Sequence, residues 1–339
     1  MCVNRVTDLD LMGQIASKLS DYRYPPPAGM DVNHVNRWIQ QFEPNDRRFV
    51  LEETDRLMGL GYFSERHYQK AANEEANDQE NEQIFNDGAF LNIQLQGSSQ
   101  REYLNLIQSL REDAINVISR NTDVNWVHSF REFVYADDVS FSGAKAISDL
   151  TWFITHFELQ NITIYVYFMG LHTFAEWKIK EQLERVFLDR NITIEVNGGK
   201  FIRVENQRRN SSQSGVFWPK AESVSMPLWA TRTVNFTGTY REGYSENDIF
   251  PDETRRDRFE AILTKIGFSI LVHSQNPSPV IKPLGFSTFR GVGFGGTIFT
   301  FRNCPNNTPL AFWWGSYHVT GQPALDCWYP LMRRNGYNV

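Results

Sequence analysis

Residues 133–150 read Phe-Val-Tyr-Ala-Asp-Asp-Val-Ser-Phe-Ser-Gly-Ala-Lys-Ala-Ile-Ser-Asp-Leu. Phe133 to Ala136 form an apolar, strand-like run that ends on two adjacent carboxylates, Asp137 and Asp138. A small-residue turn follows, Ser140-Phe141-Ser142-Gly143, and then Ala146, Ile147, Leu150, Phe153, Ile154 and Phe157 recur at helical spacing. The order is strand, acidic edge, loop, helix. A helix start leaves backbone N–H groups unpaired and carries partial positive charge, so it can hold a phosphate. Gly143 lets the backbone approach closely, Ser140 and Ser142 supply hydroxyl donors, and Lys145 supplies a cation. Two carboxylates beside a phosphate repel it. They suit ribose hydroxyls or a bound Mg2+.

The flanking sequence repeats this grammar. Phe90 to Leu95 is strand-like, Gly97-Ser98-Ser99-Gln100 is a loop, and Tyr103, Leu106, Ile107, Leu110, Ala114, Val117 and Ile118 mark a helix face. Ile162 to Phe168 is a β-branched and aromatic run that suits a strand buried on both faces. Met169-Gly170 ends it, a helix carries Ile179, Leu183, Val186 and Phe187, and Ile192 to Val196 is the next strand. Strands alternating with helices predict an α/β fold with a parallel sheet. Ligands of such sheets bind at the carboxyl ends of the strands, where Gly97, Asp137 and Gly170 fall. His172 becomes a site candidate by the same placement.

A hydrophobic strand, two acids and a Ser-Gly loop resemble the phosphoribosyl pyrophosphate (PRPP) signature of type I phosphoribosyltransferases. By position Asp137 and Asp138 match the acids over the ribose, and Ser140, Ser142, Gly143, Ala144 and Lys145 match the loop around the 5-phosphate. The upstream loop matches that family's pyrophosphate-binding loop, with Gly97, Ser98, Ser99 and Arg101 as contacts. Phe141 stands where the family has a small hydroxyl residue, and Ala144-Lys145 where Gly-Thr is common. The resemblance implies PRPP or a nucleotide as ligand and chemistry at the ribose anomeric carbon, and it allows Mg2+ on the pyrophosphate, held through Asp137 and Asp138, with no cofactor required by the sequence.

Outside this core, residues 1–30 have weak periodicity and end in Tyr24-Pro25-Pro26-Pro27, a stiff connector. Val35, Trp38, Ile39 and Phe42 mark one helix. Asn45 caps a second with Phe49, Val50, Leu57, Met58 and Leu60, and Ser64 caps a third holding Tyr68. The acid-rich stretch Glu74 to Glu82 reads as a boundary, giving a helical region 1–82 and an α/β domain 83–339 with a β-rich extension. In that extension a helix with Phe259, Ile262, Leu263 and Ile266 closes at Gly267, and Phe268 to Val272 reads as a strand. Gly291-Val-Gly-Phe-Gly-Gly296 matches G-x-G-x-x-G, but strand-like Thr297 to Phe301 follows it, which excludes a dinucleotide site. The Asn-rich segment 302–309 is a loop, and Leu310 to Trp314 is a further apolar run. Arg208 and Arg209 lie in a polar stretch that reads first as a solvated loop, with contact to a phosphate or a partner as the alternative.

The Gly-rich turn, the Arg302-Asn303-Cys304-Pro305-Asn306-Asn307-Thr308 loop and the Trp-bearing strand after it resemble the phosphoribosyltransferase-like proteins of bacterial conflict operons. Members of that group accompany retron reverse transcriptases and small winged-helix proteins in anti-phage defence loci. The resemblance implies a toxin effector held silent by such partners, with indirect DNA or RNA contact. A catalytically silent ligand-binding or scaffold subunit is the second reading. A helix-turn-helix regulator built from the N-terminal helices is the third, and the formal charge of −6 weighs against nucleic-acid coating. Trp38, Phe42, Phe49 and Tyr62 exceed what a free linker carries; a helical cap folded on its own sheet would use them as well, and it is the resemblance that implies assembly with partners. Three cysteines without zinc-type spacing, no charged-then-apolar leader and no run of about 18 apolar residues predict a cytoplasmic protein away from membranes.

Overall fold

The computed structural model describes residues 6–95, 99–204, 215–217, 227–231, 249–250, 252–274, 278–288 and 291–335. The chain falls into two compact units, one of Arg66–Asn206 and one of Met1–Glu65 with Gln207–Val339. The segment after 207 therefore groups with the N-terminal helices, and residue 82 lies inside the α/β unit.

In chain order the first unit begins with α1 (Asp8–Lys18), α2 (Val32–Ile39), α3 (Pro44–Gly61) and β1 (Tyr62–Phe63). The second unit takes α4 (Glu65–Ala76), α5 (Glu82–Asp87), β2 (Ala89–Asn92), α6 (Ser99–Leu110), β3 (Asn116–Ser119) and α7 (Val124–Val127). It continues with β4 (Glu132–Ser140), α8 (Ala144–His156), β5 (Ile162–His172), α9 (Thr173–Val186) and β6 (Ile192–Val204). The first unit resumes with α10 (Leu228–Thr231), α11 (Glu253–Leu271), β7 (Phe299–Thr300), α12 (Leu310–Trp313) and α13 (Pro323–Asp326).

The second unit is an α/β fold with a five-stranded sheet, order β3-β2-β4-β5-β6, every pairing parallel. Its core follows from strand alternation. Phe133 and Tyr135 of β4 and Ile164, Val166 and Phe168 of β5 meet Leu150, Phe153, Ile154 and Phe157 of α8 and Ile179 and Leu183 of α9. On the other face Tyr103 of α6 stacks on Tyr167 of β5 at 6.3 Å between ring centroids. The strand order reverses between β2 and β4, which makes the crevice beyond their carboxyl ends the topological switch point.

Several boundaries differ from expectation. β4 continues through Asp137 and Asp138 to Ser140, because β5 runs on to His172 and supplies partners as far as Ser140↔Leu171. α6 stops at Leu110, and Val117 and Ile118 belong to β3, a β-branched segment paired with β2. The Gln108 side chain makes that turn, donating to Asp113 O and accepting from Ile115 N. Residues 8–18 form a helix signalled by a Thr7/Asp10 capping box that weak apolar periodicity hid.

In the first unit, Phe268 to Leu271 is the last turn of α11 rather than a strand. Gly267 lies inside that helix, where an added Cβ would sit 2.4 Å from Pro283 Cα, so packing and not capping selects glycine. Leu310–Trp313 is a helical turn, so among the described residues the C-terminal extension has the long α11, three short helices and β7 in place of a β-rich layer. The 291–296 glycines are followed by β7 and no helix. Gly295 holds φ +73°, and its N–H and C=O bond Leu284 O and Phe217 N. The Asn-rich loop spends its amides within the unit, Asn303 Nδ2 on Asn335 O and Asn307 Nδ2 on Phe286 O. The aromatic face of the N-terminal helices is also covered by its own chain: Trp38 stacks on Phe312, Phe42 meets Trp328, and Phe49 meets Phe259. These rings are core residues of one unit, and Tyr62 donates to Asp21 Oδ1 at 2.6 Å. Among the described residues no helix is long and apolar enough to cross a membrane.

Candidate functional site

The two acids are consecutive strand residues, so they leave the sheet on opposite faces. Asp137 shares the face of Phe133 and Tyr135 and is 6% exposed. Its Oδ2 accepts from Gln94 Nε2 at 2.6 Å and lies 3.7 Å from Lys145 Nζ at the start of α8. Its Oδ1 accepts from the backbone N–H of Asp138 at 2.9 Å. Asp138 is half-buried on the opposite face, with Oδ1 accepting from Val139 N at 2.8 Å. The acids are not equivalent. Asp137 is a buried junction, and Asp138 stands nearer the edge.

A second carboxylate joins Asp137 on its face. Tyr135 donates to Asp149 Oδ2 at 3.0 Å, and Arg120 Nη2 lies 3.8 Å from Asp149 Oδ1. Arg120 follows β3 directly, packs its guanidinium 3.7 Å over the Trp152 ring and donates through Nε to Ile93 O at 2.5 Å. Burial raises the Asp149 carboxyl above its ordinary value, against the Tyr135 hydrogen bond and the charges of Lys145 and Arg120, which lower it. Burial also raises the Tyr135 hydroxyl, helped by Asp137 and Asp149. A raised folded-state carboxyl pKa gives stability that is full at low pH and is lost as pH rises through it. Asp149→Asn should therefore gain stability relative to the wild type as pH rises above the ordinary carboxylate range of about 4, in urea unfolding series. Tyr135→Phe, which leaves the Asp149 carboxylate without that donor, should cost about 1 kcal/mol in the same assay.

The loop after β4 is Phe141–Gly143, and α8 starts from Gly143 at φ +70° without a side-chain cap. Phe141 is buried, Ser140 is 7% exposed, and Ala144 and Lys145 are exposed on the first turn. Ser142 Oγ lies 3.5 Å from Ala144 N, at the limit of a local hydrogen bond. Acids, loop and helix start thus lie together at the carboxyl end of β4.

A family model, PRTase-CE, matches residues 35–334. The chain belongs to the PRTase-CE family. No curated protein and no solved structure matches it. The family is phosphoribosyltransferase-like, in keeping with the α/β core and its acid-pair strand.

In this PRTase-CE chain the upstream loop is described in part. Gly97 and Ser98 lie outside the described residues, as do Arg208 and Arg209. Ser99 opens α6 and donates to Gln94 Oε1 at 2.9 Å, while Arg101 is exposed on the same first turn. Gln100 is fully buried and accepts through Oε1 from Ile93 N and Gln94 N at 3.0 and 3.2 Å. Its Nε2 has no hydrogen-bond partner among the described residues. His172 is buried in β5 and caps α9, its Nδ1 accepting from Phe174 N at 3.2 Å, so it is a helix-start residue and not a loop histidine.

Gln94, Gln100, Arg120, Tyr135 and Asp149 escaped sequence reading. Tyr135 had a signal, since it stands two residues before Asp137 and shares its face. Asp149 interrupts the apolar stripe of α8 and follows Lys145 by one turn. Gln94 and Arg120 have none, because only the sheet order brings them to the acids.

The residues fit Mg2+ in one manner only. Among the described residues no three His, Cys, Asp or Glu side chains converge on one point. Mg2+ is commonly held by one or two carboxylates together with substrate phosphates. Of the two acids Asp138, the less buried, would take that part, since both oxygens of Asp137 are engaged.

Proposed function

We propose that the chain binds PRPP or a nucleotide at the carboxyl edge between β2 and β4 and acts at the ribose anomeric carbon. The observation that carries this reading is the half-buried Asp138 followed by the Ser140–Lys145 loop and the α8 start, which has no N-cap side-chain bond, at the switch point of a parallel sheet. Asp138 takes the ribose hydroxyls, and the α8 N–H groups with Ser142 and Lys145 take the 5-phosphate. Mg2+, when bound together with the ligand and Asp138, would supply counter-charge for the pyrophosphate. The C1–O bond breaks with its electron pair on the leaving pyrophosphate, and an acceptor lone pair forms the new bond to C1. Carboxylate charge near the ring stabilises the cation-like ribose between these events.

In the cell this activity serves as the effector of a retron-type anti-phage defence system, toxic when released from reverse transcriptase or winged-helix partners. The motif resemblance of the C-terminal segment supports that role. The second reading, a silent ligand-binding subunit, draws on one observation: both oxygens of Asp137 are already engaged within the chain.

Calorimetry with PRPP and Mg2+, paired with a pyrophosphate-release assay, separates these readings. Binding with release is the expected result. Binding without release from PRPP, whatever acceptor is offered, favours the silent subunit. No heat with PRPP or any nucleoside monophosphate removes the sugar-phosphate site.

A further inference from the structure

We infer that Gln94 is a positioning residue of this site: its amide holds the Asp137 carboxylate across the switch point, and Gln100 sets Gln94 in place. The inference rests on the reading of the site given above. β2 and β4 pair only at Ala89↔Phe133 and Phe90↔Val134, so their ladder has ended before Asp137 is reached. Beyond that point side chains span the crevice, and Gln94 Nε2 meets Asp137 Oδ2 at 2.6 Å.

Each end of this strut is fixed in turn. Ser99 Oγ donates to Gln94 Oε1, which leaves the amide nitrogen to face Asp137. Gln100, buried in the first turn of α6, accepts both the Ile93 and Gln94 backbone N–H groups and so holds the chain where β2 ends. Arg120 Nε takes Ile93 O from the β3 side. Asp137, held this way, passes the restraint on. Its Oδ1 takes the Asp138 N–H, which orients the edge carboxylate, and its Oδ2 attracts Lys145 at the helix start. A single amide thereby sets the ribose-facing carboxylate and the phosphate-facing ammonium together. A preorganised pair loses less on binding than one that must be ordered by the ligand.

The test compares Gln94→Leu and Gln94→Asn, the second keeping an amide too short to span the gap, alone and combined with Asp137→Asn. PRPP affinity with Mg2+ should fall on the order of tenfold in each Gln94 variant, the size of one hydrogen bond to a charged group. In the Asp137→Asn background the same changes should add almost nothing, because the residue acts through Asp137. The wild-type Gln94 side-chain amide should also give a protected NMR signal without ligand, which Asp137→Asn abolishes. Affinity equal to wild type with only a lower melting temperature would overturn the inference, as would full additivity with Asp137→Asn. The ligand-free signal separates the failures: a wild type that binds no PRPP removes the reading of the site, and a missing Gln94 signal removes the strut.

Discussion

Asp138→Asn should weaken PRPP binding by about tenfold to a hundredfold and stop pyrophosphate release, with a smaller loss of stability than Asp137→Asn. The side chain is half-buried near the carboxyl end of the central strand β4, and an Asn Oδ1 in its place keeps the local bond from Val139 N. What is lost is the negative charge, the property that ribose hydroxyls and a cation-like ring require. Asp137→Asn should behave differently. Asp137 is buried and makes charged contacts with Gln94 and Lys145, so its replacement should cost about 1–3 kcal/mol of stability as well as affinity. Calorimetry and urea unfolding on the two single variants check both statements. Equal stability losses at the two positions would contradict the division between junction and edge.

Gly143→Val should be the most destabilising of these changes. Gly143 holds φ +70°, a conformation that costs a side-chain-bearing residue about 1–2 kcal/mol. An added Cβ would also stand 2.7 Å from Ile179 Cγ1 and 3.2 Å from Ala175 O, where α9 packs on the helix start. Overpacking of that kind adds about 1–3 kcal/mol, for a total of about 2–5. Urea unfolding of the ligand-free protein measures it. Loss of ligand binding in this variant would follow from the fold as readily as from a blocked phosphate site. A valine variant with unchanged stability would contradict the contact with α9.

The parallel sheet was legible in the sequence because its signals are local. The β-branched run of β5 and the apolar stripe of α8 each fit one period, and both elements formed where those periods ran. The length of β4 was not legible. Two adjacent carboxylates read as a strand end, yet the ladder to β5 carries them inside the strand, and ladder partners are non-local. The split roles of Asp137 and Asp138 follow from that one difference. Gln94 illustrates a further limit: a glutamine past a short strand has no periodic signature, and its importance depends on the β3-β2-β4 order. In the first unit the aromatic residues of Phe268–Leu271 and Leu310–Trp313 have strand propensity. Continuity with α11 and packing against the N-terminal helices made them helical, as tertiary context overrides propensity.

A phosphoribosyl ligand is expected at the switch point between β2 and β4. Crystals of the chain soaked with PRPP and Mg2+ test it most directly. The predicted result is density for the 5-phosphate against residues 142–145 and for the ribose beside Asp138, with Gln94 still on Asp137. Density in the cleft of about 230 Å³ lined by Arg37, Gln41, Trp328 and Tyr329 instead, or none at the β4 edge at saturating ligand, would contradict it.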